Sequence, residues 1–285
     1  MIYVKFKKII FVLGFLALSI SQLGAEDLKD IYELALKNDP TFKAAEATFR
    51  AGKEYKIQGR AGLLPSLNIS GSTGWNEYRL EETLLDEYNS NNYSGTLQQP
   101  LFRLDKWFQF RQGKALSESA AAEFSYQQQE TMIRVATSYF NVLNAMDSLN
   151  AAKAELEAIG RQRDQAAKRF EVGLASITEV QDTQAAYDLS VVGRISREAQ
   201  LDSAKEALAA IIGGSLPLLS PLNEDYPTPP PDPVDRESWV KLGLANNFQL
   251  KAAHLNTSAA KSSARASGSG HLPRIDIVGR VTKSS

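Results

Sequence analysis

The sequence has no cysteine and only two histidines, His254 and His271. It therefore forms no disulfide and offers no cysteine for a lipid anchor. It also lacks the residue spacings of metal sites, phosphate-binding loops and nucleophile elbows. A net charge of −1 gives no bias towards nucleic acid. We therefore predict that the protein is not an enzyme, holds no metal or cofactor and does not bind nucleic acid.

Proline is missing from residues 104–172, and this stretch has only two glycines. Good helix formers such as Ala, Gln, Glu, Lys and Arg fill its surface positions. We therefore predict one uninterrupted helix about 100 Å long.

Two rows of apolar side chains follow this helix, each with the alternating steps of three and four residues that mark a heptad pattern. The first row is Met132, Val135, Tyr139, Val142, Met146 and Leu149, and the second is Ile133, Ala136, Phe140 and Leu143. The rows lie side by side, so the helix needs two neighbours. This favours the wall of a helical barrel or a large bundle. A long stalk with a wide apolar face is the alternative.

A tight reversal is predicted after the long helix, at residues 172–176. Gly173 is able to adopt the left-handed conformation that ends a helix. Ser176 and Glu179 have the spacing of a capping box, in which each side chain binds the backbone amide of the other residue. We therefore predict an antiparallel helical hairpin over residues 104–213.

The amino terminus has the layout of a secretory signal peptide, which we place at residues 1–25. Lysines precede an apolar run at residues 9–18, and Ser, Gly and Ala follow it. A run of about ten residues is too short to cross a bilayer as a helix. A buried amino-terminal helix is the alternative.

The sequence also repeats itself. A segment that begins at Asp27 recurs without a gap at Asp235, an offset of 235 − 27 = 208 residues. The matched pairs include Asn38 with Asn246, as well as glycines and a Leu-Pro pair. We interpret this as a tandem duplication.

The duplication divides the chain. The first structural repeat spans residues 26–213, and a proline-rich strap follows at residues 214–234. We predict that residues 235–285 are the start of the second repeat, with its helix and first strand only. The first repeat opens with a helical stretch at residues 27–62. We predict a break in it where Asp39 caps a new start.

Residues 65–76 and 93–102 alternate apolar and polar side chains, as strands with one apolar face do. Aromatic residues stand at or near their ends, namely Trp75, Tyr78, Tyr93 and Phe102. We expect a polar loop between them at residues 77–92. Length and aromatic placement fit an outer-membrane β-hairpin, and a soluble hairpin that covers a core is the alternative.

In a membrane, two strands per repeat are too few to close a barrel around a lumen. Open sheet edges are not tolerated in hydrocarbon, because unpaired backbone groups there are costly. Several chains must then share one barrel. A dimer and a trimer both meet this requirement.

Five short segments carry recognisable motifs. They are Gln99-Pro100-Leu101-Phe102, Ala136-Thr137-Ser138-Tyr139-Phe140-Asn141-Val142-Leu143, Arg169-Phe170-Glu171-Val172-Gly173-Leu174, Thr178-Glu179-Val180 and Gly270-His271-Leu272-Pro273. Together they resemble the TolC family of outer-membrane efflux and type I secretion channels. The resemblance implies a homotrimer that is mainly α with a small β part. Long helical hairpins would form an α-helical barrel continuous with a shared transmembrane β-barrel.

The resemblance also implies a location and partners. The subunit would lie in outer-membrane lipid and extend into the periplasm, as the exit duct of a tripartite efflux or type I secretion system. Its turn would dock on a periplasmic adaptor protein that serves an inner-membrane pump. The residues expected at this docking tip are Phe170, Val172, Gly173, Leu174, Ala175, Ser176, Thr178 and Glu179.

The chain departs from the family pattern in one respect, because it stops at Ser285 within the predicted third strand. We therefore expect a truncated or partial product that does not form a working channel by itself. A periplasmic adaptor protein and a non-conducting envelope spacer are the alternative functions. The sequence does not indicate whether a drug, a protein or a metal is exported.

Overall fold

The computed structural model describes residues 25–80, 83–223, 227 and 229–285. The predicted signal peptide, residues 1–25, lies outside this part of the chain except for its last residue. The described elements are α1 (Leu28–Asn38), α2 (Pro40–Ala61), β1 (Ser66–Leu80), β2 (Thr83–Phe102), α3 (Leu104–Glu171), α4 (Ile177–Ile212), α5 (Arg236–Asn246), α6 (Phe248–Gly268) and β3 (Ile275–Ser284). None of the helices in the described ranges has a stretch that is both long and apolar enough to cross a membrane.

These elements form two compact units. Among the described residues, the first unit combines residues 25–43 with residues 130–229, and the second combines residues 44–129 with residues 230–285. The long helix α3 contributes its second half to the first unit and its first half to the second unit.

The core of the first unit lies where α1, α3 and α4 meet. Its buried side chains are Ile31, Ala35, Val135, Tyr139, Val142, Leu143, Leu149, Leu201, Leu208, Ile212 and Leu219. Most of the first apolar row of α3 is therefore covered within the chain. From the second row, Ile133 remains 60% exposed and Phe140 43% exposed. Both α1 and α4 pack on this part of α3, and Leu143 of the second row is buried with the first row, so only part of the second row, at Ile133 and Phe140, stays exposed.

The break between α1 and α2 is built around Asp39. Its carboxylate accepts a hydrogen bond from the Thr41 amide at 2.9 Å and so caps α2. The same side chain is only 2% exposed and forms an ion pair with Arg134 of α3. A buried carboxylate requires such partners, so the break is held against α3.

Part of the proline-rich strap lies on the core of the first unit. Leu219 is buried and forms a parallel β-bridge with Glu26. The Tyr139 hydroxyl donates to the Ser220 carbonyl at 2.7 Å. Burial raises the pKa of Tyr139, in keeping with a neutral hydroxyl that donates from inside the core.

The helices of the two repeats begin at positions that differ by the offset found in the sequence. α1 begins at Leu28 and α5 at Arg236, and 236 − 28 = 208. The second break is capped by Asn247, whose side chain accepts from the Leu250 amide at 2.9 Å. Asp39 and Asn247 thus occupy equivalent positions.

In the second unit, the three strands form an antiparallel sheet in the order β1-β2-β3. The predicted loop at residues 77–92 is wrong for most of its length, because β1 continues to Leu80 and β2 begins at Thr83. Polar side chains in this region pair across the strands. Asn76 donates to the Ser90 hydroxyl at 2.8 Å, and Thr73 donates to Asn89 at 2.9 Å. Their polarity indicated a loop, whereas the paired backbone extends the hairpin.

Two glycines allow α2 to pack closely on the first half of α3. A Cβ atom added to Gly113 would lie 2.2 Å from the Tyr55 carbonyl oxygen, and one added to Gly52 would lie 2.4 Å from the Ala120 Cβ. Both distances are impossible contacts, so only glycine fits at this spacing.

A single residue, Arg103, separates β2 from α3. Its guanidinium donates two hydrogen bonds to the Asp105 carboxylate, at 3.0 and 2.9 Å, and one to Asp276 of β3 at 3.1 Å. These bonds to Arg103 lower the pKa of Asp105 to about 2. The junction of strand and helix is therefore fixed by a half-buried charge cluster.

Candidate functional site

The predicted tip is the turn between α3 and α4. α3 ends at Glu171 and α4 begins at Ile177. Gly173 has a φ of 76°, in the left-handed region that favours glycine. Its amide donates to the Phe170 carbonyl at 2.9 Å, and the Leu174 amide donates to the Arg169 carbonyl at 2.8 Å. These two bonds form a Schellman motif, which satisfies carbonyl groups at the end of the helix.

The start of α4 is capped as predicted by Ser176, whose hydroxyl accepts from the Glu179 amide at 3.2 Å. The second half of the predicted capping box is wrong. The Glu179 carboxylate instead accepts a hydrogen bond from Arg169 at 2.9 Å. An arginine from the neighbouring helix therefore replaces the local backbone partner.

Arg169 holds the turn from both sides. Its guanidinium binds Glu179 on α4 and also donates to the Leu174 carbonyl within the turn at 3.1 Å. Its own carbonyl accepts from the Leu174 amide. Sequence analysis missed this role, although a basic residue in the last turn of a helix and an acidic one in the first turn of the next are its signal.

Large apolar side chains at the turn point into solvent. Phe170 is 43% exposed, Val172 and Leu174 are each 69% exposed, and Ile177 is 54% exposed. The structure brings the eight predicted tip residues together and adds Ile177, which the prediction omitted. Such a cluster on a rigid turn is typical of a protein contact site.

A groove beside the turn runs along α3. Its lining residues are Arg161, Asp164, Gln165, Lys168, Arg169 and Val172. Their spacing of three and four residues places them on one face of the helix. The groove carries more basic than acidic groups. The same spacing in the sequence is the signal for this groove, which was not predicted.

Among residues 25–80, 83–223 and 229–285, no group of three His, Asp or Glu side chains could hold a metal ion. His254 on α6 and His271 in the short 3₁₀ turn Ser269–His271 are both exposed.

Known proteins resemble this chain in sequence and in fold. Residues 31–214 match the sequence profile described as outer membrane efflux protein. Outer membrane protein TolC of Escherichia coli strain K12 is 37% identical over 267 residues, which cover 91% of this chain and 52% of that protein. Alkaline protease secretion protein AprF of Pseudomonas aeruginosa is 31% identical over 280 residues, which cover 95% of this chain and 58% of AprF. The chain thus spans about half the length of the curated relatives it matches.

Among solved structures, the outer membrane protein VceC of Vibrio cholerae is similar with a TM-score of 0.73 at 17% identity, over 90% of this chain and 62% of VceC. Likeness at this identity establishes the fold. The predicted fold class, mainly α with a small β part in the TolC-like arrangement, is confirmed. The match over residues 31–214 covers more than half of the chain. The chain therefore belongs to the outer membrane efflux protein family.

Proposed function

We propose that this chain forms part of an outer-membrane channel subunit, the exit duct of a tripartite efflux or type I secretion system. The observation that carries this proposal is the direct passage of β2 into α3. The strand ends at Phe102 and the helix begins at Leu104. A membrane-embedded wall that continues into a periplasmic duct requires such continuity.

The faces of the sheet support the same proposal. On one face, Leu67, Ile69 and Val281 are 66%, 77% and 77% exposed. The opposite face carries serine, threonine, asparagine and glutamine. Strands of outer-membrane channels alternate in this way between a lipid-facing and a lumen-facing side.

The open face of α3 supports assembly as a homotrimer. Ile133 and Phe140 on the second apolar row are exposed, and Leu189 and Val192 on α4 are 74% and 63% exposed. Helix faces this apolar need a neighbour in the assembled duct.

We propose that the tip, from Phe170 to Glu179, docks on a periplasmic adaptor of an inner-membrane pump.

The experiment uses the protein purified from outer membranes of its source. A channel stays in the outer-membrane fraction and gives stepwise conductance in planar bilayers. Recovery in the soluble periplasmic fraction or with the inner membrane would instead indicate an adaptor protein. Outer-membrane recovery without conductance would indicate a non-conducting spacer.

A further inference from the structure

The polar face of the sheet carries an arginine, Arg280, near the middle of β3. The first row of this face in register, beside the Arg103 junction, is Pro100 and Asp276. The rows that follow are Ser66, Gln98 and Val278; Asn68, Thr96 and Arg280; Ser70, Ser94 and Thr282; Ser72, Asn92 and Ser284; Gly74 and Ser90; and Asn76 and Tyr88. All of these residues are described, and Arg280 is the charged one in the rows that follow Asp276. It is exposed and forms no ion pair within the described residues.

Neighbouring side chains on this face bind one another. The Ser70 and Ser94 hydroxyl groups are 2.8 Å apart, and Asn76 donates to Ser90 at 2.8 Å. These groups are neutral, so they leave the charge of Arg280 unbalanced. Asp276 lies on the same face at the start of β3, and its charge is already bound to Arg103 at 3.1 Å.

The position of Arg280 indicates that the polar face of the sheet does not meet lipid. It pairs with Thr96 near the middle of β3. An arginine in the middle of a lipid-facing strand is strongly destabilising, whereas the same residue on a lumen wall is tolerated. Lys283 lies on the opposite face, beside Tyr93 at the aromatic end of the strands. A lysine at an interface reaches the headgroup region with its long side chain.

We infer that Arg280 is a charge-selectivity residue of the duct, which places one fixed positive charge per subunit on the lumen wall and favours small anions over small cations. This inference rests on the proposed channel function. A fixed charge acts over the Debye length, which is about 30 Å at 0.01 M salt and about 3 Å at 1 M. The contribution of Arg280 is therefore large in dilute salt and disappears in concentrated salt.

The test is the reversal potential of single channels in a KCl gradient, measured with protein purified from outer membranes. At about 0.01 M salt, R280Q should raise the ratio of K⁺ to Cl⁻ permeability on the order of twofold, and R280E should raise it further. R280K should leave the ratio unchanged. At 1 M salt the variants should be indistinguishable from the unaltered protein.

K283Q is the matched control, because it also removes one positive charge from β3, but on the opposite face of the sheet. It should leave the ratio unchanged. Conducting channels in which R280Q has no effect, or in which K283Q has an equal effect, would overturn the inference while the proposed function stands. Absence of any conductance would overturn both.

Discussion

Arg169 of α3 and Glu179 of α4 are joined across the tip turn by a hydrogen-bonded ion pair of 2.9 Å. The pair closes a turn whose large apolar side chains face solvent. Because Arg169 also binds the Leu174 carbonyl, it fixes the turn before any partner arrives. Preorganisation of this kind lowers the entropic cost of docking.

We predict that R169A loosens the tip without unfolding the hairpin. The pair is exposed, with side-chain exposures of 49% and 39%, so its contribution to stability is at most about 1 kcal/mol. Hydrogen exchange at the Leu174 amide should accelerate, and binding of the proposed adaptor partner should weaken about two- to fivefold. R161A, which removes an exposed charge within α3, is the control. Equal acceleration by R161A would contradict the assigned role of Arg169.

A second prediction contrasts two glycines of the hairpin. G173A should destabilise the fold by about 1–2 kcal/mol, because an L-residue is strained at a φ of 76°. G193A should stabilise it by about 1 kcal/mol, since Gly193 lies in the exposed interior of α4 with nothing within 4 Å of an added Cβ atom. Denaturant melting distinguishes the two signs. A shift in the same direction for both variants would argue against the left-handed turn.

A third prediction concerns the close contact of α2 with α3. G113A should destabilise the second unit by about 1–3 kcal/mol, because the new methyl group meets the Tyr55 backbone and forces the helices apart. G243A is the control, since it is helical and has open space around it. Thermal unfolding measures the stability of both variants. A neutral G113A would mean that the helices lie further apart.

A fourth prediction is a pH dependence at the junction of β2 and α3. Arg103 holds the pKa of Asp105 at about 2, below the ordinary value of 3.8. A lowered carboxyl pKa stabilises the folded state at pH values above the ordinary pKa, and this contribution is lost as the pH falls through the lowered value. D105N should therefore be less stable than the unaltered protein at pH 7. The difference in stability between D105N and the unaltered protein should disappear as the pH falls from about 4 to about 2.

The control for this titration is D164N, because Asp164 is 60% exposed and forms its ion pair with the neighbouring Arg163. Its stability difference should be small at every pH, as expected for surface ion pairs. A pH-independent difference for D105N would contradict the charge-based account of the junction.

Local signals in the sequence were sufficient where a residue acts on its own backbone. Gly173 and Ser176 determine the turn because their effects reach only a few residues along the chain. The polar residues between β1 and β2 were misread because cross-strand pairing, rather than local preference, keeps them extended. The bond from Arg169 to Glu179 depends on two helices meeting, so the capping-box pattern alone predicted the wrong partner. The α1 residues Ile31 and Ala35 are buried for the same nonlocal reason, whereas α5 has no buried residue.

Arg103 has a mechanical consequence. It is the one residue between a hydrogen-bonded strand and a long helix, and its guanidinium is bound to Asp105 on the helix and to Asp276 on the adjacent strand. A twist applied to α3 near the junction therefore passes into the sheet as torque instead of being absorbed by a flexible hinge. A rotation of α3 must therefore begin elsewhere along the helix, with the strand end as its fixed anchor.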